Sequence, residues 1–429
     1  MRAETKSFAN RPTPLHGAAE AATAALRGSL ATIEDMHMAV ARKSFAPLRL
    51  APGVAHVSEA VRVLHDGITG LVYGGLRAAI TATGAAARLG ARLAPGHDEE
   101  PQPASIAGWA VSALNGFAGD RLERDNNSLA IEMGIRHRGR AVAPNRDGLA
   151  AAFPHATPRL AVFVHGLACN ESFWQLGAER HYEDPSITYG ARLQNDFGYT
   201  PVYLRYNTGL HISQNGRELA HLLDRMVGEW PVAVDDLILI GHSMGGLVCR
   251  SAGYYGQQAE HRWTRSVRHI VFLGSPHLGA PLEKAANIVG WLLGHSDITQ
   301  PFAAVWNGRS VGIKDLRFGA LVDEEWENAN LDALLENRTG DVPFLAGARH
   351  YFVAATVTRD RFHPFGLALG DLLVREPSAA ARGRIHWTQF RLDHGRHFGA
   401  MNHFDLLNHP DVYEQLRRWL DPGDRQRFS

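Results

Sequence analysis

The chain is expected to fold as an α/β protein on a mostly parallel sheet, with helices on both faces. Three observations carry that expectation. From Leu160 onward, short apolar runs alternate with amphipathic helical stretches, the pattern of a covered parallel sheet. The run Leu237–Ile240 passes into Gly241-His242-Ser243-Met244-Gly245 and then into a helix rich in small residues. A second apolar run from Leu160 ends in His165-Gly166-Leu167.

Taken in chain order, residues 1–15 are polar and proline-bearing, the composition of a disordered end. His16–Ser44 is alanine-rich, with Leu26, Leu30, Ile33, His37 and Val40 at helical steps, and Val57–Leu93 repeats the theme. Pro47 and Pro52 separate the two, so a helical hairpin is expected. Ile68–Ala94 is rich in Gly and Ala, but Arg77, Arg88 and Arg92 interrupt it. No uncharged run there approaches the roughly 18 residues needed to span a bilayer. Three readings stay open for this region: a helical layer packed on the rest or on a second subunit, an interfacial anchor, or a cover over the site. The first is favoured.

Pro95–Pro103 reads as a linker, Ile106–Phe117 as a short helix, and Leu129–Arg136 with Arg140–Ala143 as a hairpin. This divides the chain into a helical N-terminal extension, 1–125, and an α/β domain, 126–429. Within the latter, strands are expected at Val202–Tyr206, Val267–Gly274 and Tyr351–Thr358, and helices at Ser213–Glu229 and Pro410–Leu420. The stretch of about 276–343 is too long for a plain loop. It contains Ile288–Leu293 and Phe302–Trp306, and reads either as a mobile lid with exposed apolar side chains or as a cap fixed on the core.

The G-x-S-x-G run places Ser243 on a sharp strand-to-helix turn, where small residues on both sides permit the bend. The bend lifts the hydroxyl above the sheet edge and aims a helix N-terminus at any negative charge forming beside it. In acyl transfer the residue after the nucleophile and the loop after the earlier strand supply backbone N–H donors to an oxyanion. Those donors are expected to be Met244 and Leu167. His165 is expected to orient that loop by hydrogen bonding and to do no chemistry itself.

The segments VHGLACNESFW, GHSMGGLV, VFLGSPHLGAPLEK, LGDLLVREPSA and MNHFDLLNHPDVYEQLRRWL resemble the α/β-hydrolase lipases. They are most similar to the bacterial triacylglycerol lipases and the glycosylphosphatidylinositol inositol-deacylase-like branch. The resemblance covers roughly residues 155–425 and leaves out the N-terminal third. It implies a serine ester hydrolase acting on lipid-like or other acyl esters, with the catalytic residues in the order Ser, acid, His. Among the histidines after Ser243, His403 matches the lipase pattern N-H-x-D just before the final helix, and His397 is the fallback. For the acid, Asp371 in Leu369-Gly370-Asp371-Leu372 resembles the pattern D-G-L-V, with leucine in place of the usual glycine. Asp360 is the alternative. Some lipases of this type carry a structural calcium near the histidine, and Asp405 matches one ligand position. One aspartate falls well short of the roughly six to eight oxygens that calcium takes, so a capping or solvated carboxylate is the favoured reading. An acyltransferase, or a catalytically silent binding protein on this fold, is the alternative function.

Composition narrows the partners. Lys plus Arg (44) equals Asp plus Glu (44), so no net field draws nucleic acid or anionic lipid. The chain has 23 histidines, yet none stands at zinc-site spacing, and neither a metal nor a cofactor is expected. The expected partner is an acyl-ester or lipid substrate, with peripheral lipid-surface contact and self-association through the N-terminal helices as further options. Two cysteines, Cys169 and Cys249, are too few for a disulfide scaffold. A bridge between them is conceivable, and two buried free thiols are favoured. The first residues lack the apolar core of a secretory signal, so a cytoplasmic location is expected.

Overall fold

A computed structural model describes residues 30, 34, 38, 69–70, 72–78, 80–81, 102–125, 127, 129–277, 310–326, 342–359 and 394–421. Contacts divide the chain into two units, Met1–Ala113 and Leu114–Ser429. In the first unit, residues 30, 34 and 38 and the stretch around Val72–Ala78 are helical. Within this unit Arg77 Nη2 donates to Glu34 Oε1 at 3.1 Å. No helix among the described residues is long and apolar enough to cross a membrane.

Among the described residues, the second unit is built on an eight-stranded sheet. Its strands are β1 (Gly134–His137), β2 (Arg140–Val142), β3 (Arg159–Val164), β4 (Thr200–Arg205), β5 (Asp236–His242), β6 (Val267–Leu273), β7 (Arg349–Thr356) and β8 (Gly395–Gly399). Their order across the sheet is β2-β1-β4-β3-β5-β6-β7-β8. Strands β3 to β8 pair in parallel, and β1 runs antiparallel to both β2 and β4.

Alternating side chains of the central strands enter two separate cores. Leu160, Val162, Val164, Leu237 and Leu239 face one, while Ala161, Phe163, Ile238 and Ile240 face the other. Leu219, Leu223 and Met226 of the helix Ile212–Glu229 close the first core, joined by Leu247 and Val248 of the helix Met244–Gln258. Leu193 of the helix Tyr189–Phe197 closes the second, with Val412 and Leu416 of the helix Pro410–Leu420. A strand buried on both faces must be apolar throughout, which is why β3 and β5 read as unbroken apolar runs.

Two elements differ from their expected bounds by more than two residues. The helix expected to stop at Phe117 runs Ile106–Arg124 with a kink at Ala118 (φ −136°). Gly116 and Gly119 lie within this helix, where they serve packing. A Cβ at Gly116 would lie 2.9 Å from the Cβ of Ala168, and one at Gly119 would overlap the Asn207 side chain. The hairpin forms, but its first strand begins at Gly134 instead of Leu129. Asn115 captures the preceding backbone: its Nδ2 donates to Leu129 O at 2.7 Å and its Oδ1 accepts from Ile131 N at 2.9 Å. Those groups are satisfied away from the sheet, so the ladder starts later.

Part of the long insertion is described. The helix Val311–Phe318 is capped by Ser310, whose hydroxyl also donates to Gly116 O at 2.6 Å. Asp315, fully buried, accepts from His211 Nδ1 at 3.0 Å and from Ile212 N at 2.9 Å. Trp326 stacks on His211 at 3.8 Å and donates to Ser213 Oγ. Arg217 pairs with Asp323, and Ser251 donates to Leu321 O. Residues 310–326 are therefore anchored on the core. Ile288–Leu293 and Phe302–Trp306 lie outside the described residues.

Asp315→Ala leaves a buried imidazole and a helix-end N–H without their acceptor. It is expected to cost about 2–4 kcal/mol of stability, read as a lower urea midpoint than wild type at neutral pH.

Candidate active site

The candidate residues gather where β3, β5, β6 and β8 end, outside the carboxyl edge of the sheet, where open α/β sheets place their sites. Ser243 immediately follows β5 and has φ +54° and ψ −124°, a region that a non-glycine residue enters only under constraint. Two hydrogen bonds supply the constraint. Ser243 N donates to Leu273 O at 2.8 Å, and Gly246 N donates to Ser243 O at 3.1 Å. The glycines of the motif are needed for close approach. A Cβ at Gly241 would lie 2.5 Å from Gly246 Cα, and one at Gly245 would overlap the carbonyl of Val164. Met244 opens the helix Met244–Gln258, so its N–H is one of the helix-end donors without an intrahelical partner.

The loop after β3 meets this turn directly. A Cβ on Gly166 would lie 3.0 Å from Ser243 Cβ. The Gly166 carbonyl accepts from His165 Nδ1 at 2.9 Å and from Cys169 N at 3.2 Å. A peptide unit is planar and trans, so anchoring that carbonyl aims the Leu167 N–H the opposite way. A carbonyl only accepts, hence His165 carries its proton on Nδ1. The ring is fully buried, stacks on Tyr206 at 4.5 Å, and burial pulls its pKa down to about 4. His165 orients the loop, as expected from the sequence. Beyond the loop, Asn170 caps the turn Glu171–Gln175, and Glu171 makes a buried two-pronged ion pair with Arg205 at 2.5 and 2.8 Å.

His403 opens the turn His403–Leu407, directly after β8 and before the final helix, and is buried. A Cβ on Gly274 would lie 3.1 Å from both Cε1 and Nδ1 of its ring. Leu273, the neighbour of Gly274, accepts the Ser243 N–H, so the serine turn and the imidazole flank the end of β6. His242 bridges them from the other side. Its ring centroid is 4.6 Å from that of His403, and its Nε2 donates to the His403 carbonyl at 3.1 Å. Burial, reinforced by His403, holds the His242 pKa well below the usual imidazole range. Asp405 caps the same turn: its Oδ2 accepts from Asn402 N at 2.9 Å, while Asn402 Oδ1 accepts from Phe404 N and Asp405 N. Tyr189 holds the far end, accepting from His409 N at 2.8 Å.

The fallback His397 stands within β8, with Nε2 3.1 Å from Thr356 Oγ1. By sequence Asp371 and Asp360 fall between β7 and β8, after the penultimate strand. Both lie outside the described residues. The structure thus brings together Ser243, Met244, the Leu167 loop and His403. Cys169 and Cys249 are free, buried thiols, and burial pushes the Cys169 pKa up to about 12 and that of Cys249 higher still. Sequence reasoning passed over His242, Tyr206 and Thr208. Their signal was position, at or just past the carboxyl ends of parallel strands.

The strand order, the two covered faces and the constrained serine at a strand-to-helix corner define an α/β-hydrolase fold. More narrowly, residues 157–328 match the family model described as the PGAP1-like alpha/beta domain. No curated protein matches the chain by sequence. Among solved structures, Bacillus licheniformis lipase BlEst2 in its mature form is 20% identical, with a TM-score of 0.36, covering 62% of this chain and 94% of that one. The propeptide form of the same lipase is 19% identical, with a TM-score of 0.39, covering 61% of this chain. The match spans 51% of that longer form, about half its length. Aspergillus fumigatus lipase B is 10% identical, with a TM-score of 0.39, over 93% of this chain and 83% of that one.

Four buried histidines make the fold sensitive to acid. His165, His242, His277 and His350 are all buried with lowered pKa values, about 4 for His165 and about 3 for His350. Each ring is neutral in the fold and gains a proton on unfolding below pH about 6.5, so the unfolded state binds more protons there. Stability is therefore full above that pH and falls between about pH 6.5 and 4, by up to about 1.4 kcal/mol per pH unit for each ring. Urea midpoints at about pH 7 and about pH 5 check this, and a flat profile contradicts it.

Proposed function

We propose that this chain is a serine carboxylic-ester hydrolase that cleaves lipid-like or other acyl esters through an acyl-enzyme on Ser243. The observation that carries the reading is the constrained turn at Ser243, with the His403 imidazole beside the same strand end. Backbone strain of this kind is retained where the surrounding structure over-determines it, and it clusters at reacting positions.

In this reading, His403 takes the Ser243 proton as the hydroxyl attacks the ester carbonyl. The N–H groups of Leu167 and Met244 hold the oxyanion, and the positive end of the helix Met244–Gln258 adds to them. The protonated imidazole then returns its proton to the departing alcohol. Water attacks the acyl-enzyme by the same route and releases the acid. Asp371 would fix the His403 tautomer and stabilise the imidazolium. A neutral His242 suits this cycle, because a second positive ring at 4.6 Å would oppose the imidazolium.

The test is a p-nitrophenyl ester series from short to long acyl chains. Ser243→Ala and His403→Ala are each expected to lower kcat by about four to six orders of magnitude, with circular dichroism spectra unchanged. A folded Ser243→Ala protein that turns over near the wild-type rate contradicts the assignment. Asp371→Asn is expected to lower kcat by about four orders of magnitude if it holds the histidine tautomer. A near-wild-type rate there moves the role to Asp360.

A further inference from the structure

We propose that Thr208 is a positioning residue for the oxyanion donor Leu167, acting together with Tyr206 as a bracket on the loop after β3. This inference rests on the ester-hydrolase reading above and adds two residues that act through the loop.

The bracket is defined by its two ends. On the near side of the Gly166–Leu167 peptide, the His165 carbonyl accepts from Tyr206 Oη at 2.8 Å. On the far side, Ala168 N donates to Thr208 Oγ1 at 3.1 Å. Both supports come from one short segment leaving β4, two residues apart. Between them stands the peptide whose N–H is to meet the oxyanion. Its carbonyl is held from within the loop by His165 and Cys169, which sets the tilt of that plane within the loop. The outer pair ties the two ends of that peptide to the segment leaving β4.

The far end needs a tie. Ala168 has φ +59°, the left-handed region that alanine rarely enters. Released from Thr208, it has a lower-energy alternative on the other side of φ = 0, and moving there swings the Leu167 N–H. Thr208 is itself fixed. It is 1% exposed, and its loop is stitched on every side. Gly209 N donates to Asn207 Oδ1 at 3.0 Å, Asn215 Nδ2 to Asn207 O at 2.9 Å, and Gly312 N to Gly209 O at 3.1 Å. The last bond reaches the anchored part of the insertion, so the support extends from the insertion through Thr208 to the oxyanion loop.

The chemical consequence is specific. A donor that meets charge only in the transition state contributes to kcat and little to substrate binding. Thr208→Val keeps the shape and removes the acceptor, whereas Thr208→Ser keeps the acceptor. The valine variant is expected to lose about tenfold in kcat with KM within about twofold, and the serine variant to stay within about threefold of wild type. Inhibition by an alkyl trifluoromethyl ketone, which adds to the serine and places an oxyanion in the same hole, should weaken about tenfold in step with kcat/KM. The pH dependence of kcat/KM should keep its shape, because the variant changes only a neutral hydrogen-bond acceptor. Hydrogen exchange over residues 166–170 should quicken in the valine variant and not in the serine one.

A valine variant with wild-type kcat overturns the proposal, as do equal losses in the two variants or unchanged exchange over 166–170. If the valine variant does not fold, Tyr206→Phe removes the other end of the bracket and is read the same way: kcat falls with KM kept, and a wild-type kcat overturns the idea. A wild-type protein inert toward every ester overturns the hydrolase reading instead. The exchange measurement then decides by itself whether Thr208 holds the loop.

Discussion

The hydrogen bond from Ser243 N to Leu273 O sets the geometry at this end of the sheet. It continues the β5–β6 ladder one residue past the end of the strands, and so fixes the point at which β5 must turn. The turn then has room for no side chain at Gly241 or Gly245, forces a positive φ on Ser243 and starts a helix at once. It also brings the end of β6 beside the serine, and Gly274 there leaves space for the His403 ring. Constraint at the serine and access for the imidazole thus follow from the same backbone contact.

Much of this could be read from the sequence, for a physical reason. Strands buried on two faces leave unbroken apolar runs, so β3, β5, β6 and β7 were found to within about two residues. The final helix was found to the residue, since Pro410 marks its first turn. The glycine-flanked serine and the His-Gly pair were legible because backbones packed this closely exclude side chains. The reading failed where a side chain overrode local preference. Asn115 took the backbone groups that would have lengthened β1, and the helix expected to stop at Phe117 runs on to Arg124. Tyr206 and Thr208 were passed over for a different reason: only their place just past a strand end marked them, and their partners are backbone atoms some forty positions away.

The insertion between β6 and β7 raised a choice between a moving lid and a fixed cap, and residues 310–326 favour the cap for their own stretch. A buried carboxylate bound by an imidazole and a helix-end N–H, under a stacked indole, is costly to expose, because each group loses its partner on leaving. The same residues brace the segment that carries Thr208, which gives the insertion a structural part in the site's geometry.

The first hairpin bears on how this sheet meets other molecules. Strand β2 spans three residues and begins with the exposed Arg140. So short an outer rung offers a neighbouring chain few free amide and carbonyl groups, and the guanidinium discourages a dry contact there. The turn that makes the rung, Arg138-Gly139 with φ of +52° and +79°, folds the chain back before a longer ribbon can form. The fold thereby blunts this margin against edge-to-edge polymerisation.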